Sequence, residues 1–255
     1  MTNDQLIDAI RAHDWDVTSQ GKSAPPSFGA LIQAQLAGFD AESRELAAEC
    51  VADWNGAGAG SLLLSMTADI EPQVAAAAAH GLGRVAQLPP IPTIVAEIPR
   101  RQEPFVRGQL YKIVGATRNS QYLDLLRAVV AGENSADAQR DARRALVQLG
   151  GQSERAEFRI RVAQAKPDEA MDLQEDLVAI ADPRLAKATL PWLSNGASVM
   201  RIGSDRSPAM ARMCDVAVWA AFLLKIPAAI TPAHLANYSP KVIADVAAAL
   251  SALPD

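Results

Sequence analysis

Between residues 40 and 195 apolar side chains recur every three to four positions in short runs. The runs are broken by Pro, Gly and acidic-Pro pairs, a pattern that predicts helices joined by tight turns. Leu6, Ile7 and Ile10 mark a helix over 4–13, Leu31, Ile32 and Leu36 one over 28–37, and Leu46, Cys50 and Val51 one over 41–54 that Asn55-Gly56 ends. The same periodicity predicts helices over 59–68, 72–87, 91–101, 104–116, 119–132, 135–149, 153–165, 166–180 and 183–194. Residues 195–207 read as one long irregular loop, followed by a strongly apolar helix over 208–225 and two short closing helices within 232–253.

The helices repeat. Val74 and Val106 lie 32 positions apart, Val106 and Ala138 another 32, each opening an alanine-rich segment. A period of that size with two helical patterns per unit is the mark of a helical solenoid. The segments SLLLSMTADIEPQVAAAAAHGLGRV (61–85), IVAEIPRRQEPFVRGQLYKIVG (94–115) and LLRAVVAGENSADAQRDARRALVQLG (125–150) resemble HEAT repeats of bacterial type. The arginine that follows the valine in that pattern is read as Arg107 and Arg140, and is Ala75 in the first unit. The resemblance covers 40–195. It implies an all-α fold, a right-handed α-α superhelix in one continuous solenoid, with capping helices in 1–39, repeats in 40–195, and a loop with further capping helices in 196–255. It also implies a non-catalytic protein-binding scaffold such as an adaptor, a regulatory subunit or an inhibitory, immunity-type partner. HEAT-like alkylpurine DNA glycosylases and bilin lyases are the enzymatic alternatives.

Composition sharpens this picture. Hydrophobic residues make up 49% of the chain but aromatics only 5%, so thin, alanine-rich helices must approach closely to build a core. The net charge is −5, which disfavours a general binder of nucleic-acid backbones and favours another protein as partner. Yet residues 100–166 hold 13 Lys and Arg against 7 Asp and Glu, a basic middle between acidic ends. Cys50 and Cys214 sit in apolar patterns and read as buried thiols of a reducing compartment. With an acidic N-terminus and no run of about 18 apolar residues, the expectation is a soluble, cytoplasmic chain without a membrane partner.

Candidate chemistry is sparse. His13, His80 and His234 are scattered, Gly56, Gly58 and Gly60 lack the preceding strand of a phosphate cradle, and Glu45/Glu49 and Asp172/Asp176 read as solvated acidic faces. No catalytic residue, metal or cofactor is therefore expected. Binding residues are expected on the basic middle: Arg140 and Arg144 opposite the stripe Ala142, Ala145, Leu146, Leu149, and Arg107 and Tyr111 turned to solvent by the stripe Val106, Leu110, Ile113, Val114. Met200 and Arg201 in the long loop, and Trp219 on the second apolar side of the 208–225 helix, complete the candidates.

Overall fold

The computed structural model describes residues 2–18, 24–204, 207–228 and 234–254. Its helices are α1 (Asn3–Arg11), α2 (Phe28–Gln35), α3 (Ala41–Trp54), α4 (Ala59–Met66), α5 (Pro72–Leu82), α6 (Ile91–Glu97), α7 (Pro104–Ala116), α8 (Leu123–Val130), α9 (Ala136–Gln148), α10 (Gln152–Ala163), α11 (Ala170–Ile180), α12 (Met213–Leu223) and α13 (Pro240–Ser251). One antiparallel hairpin interrupts them, strand β1 (Ser198–Ser204) pairing with β2 (Ser207–Arg212). The described residues are thus all-α apart from that hairpin. Its contacts divide into two compact units, Met1–Ala145 and Leu146–Asp255.

In the first unit α3, α5 and α7 pack in succession, α4 lies against α3 and α5, and α6 lies against α7 and α8. The third residue of each long helix, Ser43, Val74, Val106 and Ala138, is buried. Those positions are 31, 32 and 32 residues apart, so the sequence period is a period of structure. Val106, Leu110, Ile113 and Val114 of α7 are all buried as their spacing requires. Burying each contributes roughly 2 kcal/mol, which outweighs the roughly 0.5 kcal/mol that a β-branched residue costs inside a helix. Small residues set the helix separation: a Cβ on Gly81 of α5 would come within 2.9 Å of the Ala52 Cβ on α3. Asn55 ends α3 in the left-handed conformation (φ 50°), and Gly58 (φ 87°) starts α4 where other side chains would be strained.

The second unit buries Phe158 and Val162 of α10, Leu173 and Leu177 of α11, Trp192, and Val216 to Val218 of α12 in one core. The Trp192 indole N–H donates to the Val162 carbonyl at 2.7 Å, which lets a large ring be buried without losing its hydrogen bond. Four expectations need correction here. Residues Pro183–Ser194 form a 3-10 helix rather than an α-helix; Pro191 lies inside it, where in an α-helix its ring would clash with the carbonyl four residues earlier. Residues 195–207 are not an irregular loop, because most of them form the hairpin. Helix α12 begins at Met213, not 208: Ser207 precedes a proline and is biased to extended backbone, and Arg212 is still extended at ψ 161°. Of the two closing helices expected within 232–253, residues 232–233 lie outside the described ones, and the rest hold one helix, α13.

Candidate functional site

The turns between the helices of the first unit are held by a repeated ion pair. Arg44, fourth residue of α3, reaches the turn before α5, where Nε and Nη2 contact both carboxylate oxygens of Asp69 at 2.7 and 3.0 Å. Its Nη1 donates to the Phe39 carbonyl just before its own helix. Arg107, fourth residue of α7, does the same one repeat-pair later: two 2.8 Å bonds to Glu133 in the turn before α9, and one to the Gln102 carbonyl. Each acid also accepts the backbone N–H two residues on, Glu71 for Asp69 and Ser135 for Glu133. Forked pairs of this kind combine charge with fixed geometry, and here they are sheltered, the Glu133 side chain being only 2% exposed. The Arg107 bonds hold the Glu133 carboxyl below its ordinary 4.5, against the opposing effect of burial.

Between these two latches the pattern is inverted. Position 75, fourth in α5, carries alanine. Asp69 and Glu133 each lie three residues before a helix, and the equivalent residue before α7 is Arg101, 32 positions from either. Arg101 turns back to donate from Nε to Thr67 Oγ1 at 2.7 Å and from Nη2 to the Leu64 carbonyl at 3.3 Å, with Glu97 at 2.8 Å. Among the described residues Nη1 has no hydrogen-bond partner. Three clefts share this arginine as a wall. One of about 280 Å³ lies between Thr67, Asp69, Ile70, Ala75 and Gln102. A second, of about 270 Å³, is bounded by Pro99, Arg107, Tyr111 and Glu133, and a third, of about 470 Å³, by Leu64, Pro90, Thr93 and Glu97.

No family model, curated protein or solved structure matches this chain. What the chain does must be read from its own geometry.

The candidate residues fall in different places. Tyr111 does not face solvent as expected: it is 1% exposed, and its hydroxyl donates to Glu133 at 3.3 Å. Burial, and then the Glu133 charge, push its phenol well above the ordinary range. The misplacement has a simple cause: the apolar stripe of α7 is wider than the four aliphatics that define it, because neighbours bury the helix on two sides. Arg107 likewise points into the turn rather than to solvent. Arg140 is half-buried, and Gln139, not Arg140, occupies the repeat position of Arg107 one residue after Ala138; its amide donates to the Glu133 carbonyl at 2.7 Å. Arg144 and Lys112 both pair with Asp141, at 3.3 and 3.2 Å.

In the second unit Met200 and Arg201 lie on β1, both exposed, with Arg201 opposite exposed Met210. Trp219 is half-buried and stacks on Phe222 with ring centroids 5.4 Å apart. Buried Asp215 forms a network unforeseen in the sequence: Arg212 bonds both its oxygens at 2.9 Å, and the Tyr238 N–H donates to it at 2.9 Å. Asp182 accepts a similar fork from Arg184, with Arg155 of α10 at 3.3 Å. Among the described residues no three His, Cys, Asp or Glu gather as metal ligands would, and no helix is long and apolar enough to cross a membrane. The missed residues Asp69, Arg101 and Glu133 did leave a signal, a charged position recurring every 32 residues just before a helix.

Proposed function

We propose that this chain is a non-catalytic protein-binding scaffold of the HEAT-like, right-handed solenoid kind, docking its partner along the inter-helix turns of the first unit. The observation that carries this reading is the recurring latch, Arg44 to Asp69 and Arg107 to Glu133: its charged groups hold turns in register and do not converge on a reacting atom. Ile70 is 89% exposed in the first of these turns and Phe105 is 51% exposed at the start of α7, apolar contact area of the sort partner surfaces use. In its narrower form, the partner is an enzyme that the chain inhibits.

Capture of the tagged chain from its own cells, followed by titration of each purified candidate in a calorimeter, tests the proposal. A saturable complex of fixed stoichiometry is expected, weakened at least tenfold by Ile70→Asp combined with Phe105→Asp while the helical circular dichroism is retained. The reading is overturned if no purified candidate saturates, or if the double variant binds as tightly as the parent chain. Loss of the partner's catalytic activity on complex formation supports the inhibitory form.

A further inference from the structure

The inverted turn before α7 has a specific chemistry. In the repeats on either side, an arginine from the fourth position of a long helix fills the space over the turn and meets a carboxylate. In the α5 repeat both ends of that pair are exchanged: Ala75 leaves the space open as the 280 Å³ cleft, and Arg101 puts a guanidinium where the neighbours place an acid. The Arg101 side chain is 7% exposed and anchored by Thr67, Leu64 and Glu97, so its guanidinium is held in place before any ligand arrives. Asp69 is already engaged by Arg44, and Glu97 by both Arg100 and Arg101; Glu103 also lines the cleft, and Arg100 adds a second guanidinium beside it. The cleft thus offers room of side-chain size and, in Arg101 Nη1, a guanidinium nitrogen without an acceptor among the described residues.

We infer that this cleft receives the carboxylate of an Asp or Glu side chain from the protein partner, bonded by Arg101. The inference rests on the scaffold reading for the source of the carboxylate. Charge complementarity selects the occupant: a planar guanidinium edge favours a carboxylate, and exposed Ile70 on the cleft rim offers contact to the apolar part of the presenting chain. A lysine or arginine is disfavoured, since it would meet Arg101 where the neighbouring turns present an acid.

The site can be probed before the partner is known. N-acetylglutamate amide, a single blocked glutamate, is titrated into the full chain while the arginine Nε–H resonances are followed by NMR. A saturable shift of the Arg101 resonance is expected, at least tenfold weaker with N-acetylglutamine amide. Ala75→Met is expected to abolish the shift by filling the cleft, leaving the free-state Arg101 resonance in place. This variant should fold, because positions 44 and 107 accommodate a longer side chain at the equivalent place. No shift in the parent chain, or an equal shift in Ala75→Met, overturns the inference. Glutarate binding tenfold tighter than the blocked glutamate overturns the protein source, pointing instead to a free dicarboxylate. Failure here leaves the capture experiment unaffected, so loss of the cleft and loss of the scaffold reading are distinguishable.

Discussion

Glu133 shows what a single residue contributes. It is almost fully buried between Arg107, Tyr111 and the Ser135 N–H, and its carboxyl is held below the ordinary 4.5. A carboxyl depressed on folding stabilises the fold fully above about pH 4.5 and loses that contribution as pH falls through the lowered value. Glu133→Gln leaves Arg107 without its counter-charge and is expected to cost roughly 3 kcal/mol at neutral pH by urea denaturation. The difference from the parent chain should shrink below pH 4.5. Cys50 makes a second residue-scale prediction: burial, aided by Asp53 and Glu49, pushes its thiol up to about 12. It is expected to resist alkylation at pH 8 in the native chain and to react only on unfolding. Its burial was legible from the apolar stripe of α3, whereas that of Tyr111 was not, since periodicity along one helix does not show which second neighbour covers its flank.

At the scale of elements, the latch is a module that can be moved. Ala75→Arg restores the helix arginine and Arg101→Glu restores the turn acid, recreating the arrangement seen at Arg44/Asp69 and Arg107/Glu133. Each single change is expected to destabilise, one by crowding like charges and the other by breaking the Thr67 and Leu64 bonds. The double variant should be more stable than the sum of the singles by about 1 kcal/mol or more in a double-mutant cycle. Additive effects would show that the two positions do not face each other as the neighbouring pairs do. Helix α5 and helix α7 were readable because Pro at their starts and buried residues at helical spacing agree. The β1–β2 hairpin escaped the same reading. Its alternation, with Arg201 and Met210 exposed and Ala211 buried, spans only a few residues, and the apolar run of α12 next to it suggested one longer helix.

For the whole molecule, each unit is expected to show its own gradient of local stability. Amide hydrogen exchange should be slowest at Val74 to Leu82 and Val106 to Val114 in the first unit, and at Val216 to Ala221 in the second, where buried residues are densest. Faster exchange in α5 than in α1 would contradict the packing described. The basic middle of the chain also looks different once folded: Arg107, Arg144, Arg155 and Lys112 each meet an acid. Gel-shift titration with duplex DNA at 0.1 M salt is therefore expected to show no saturable complex. By itself the sequence determined the all-α class, most helix boundaries and the 32-residue period, because local propensity and burial pattern act over neighbouring residues. Tertiary structure alone decided that Arg107 of the middle third is a latch, as Arg44 is before it, rather than part of an open basic face. An ion pair between residues 25 or 26 positions apart depends on which turn a helix is packed beneath, and no local pattern encodes that.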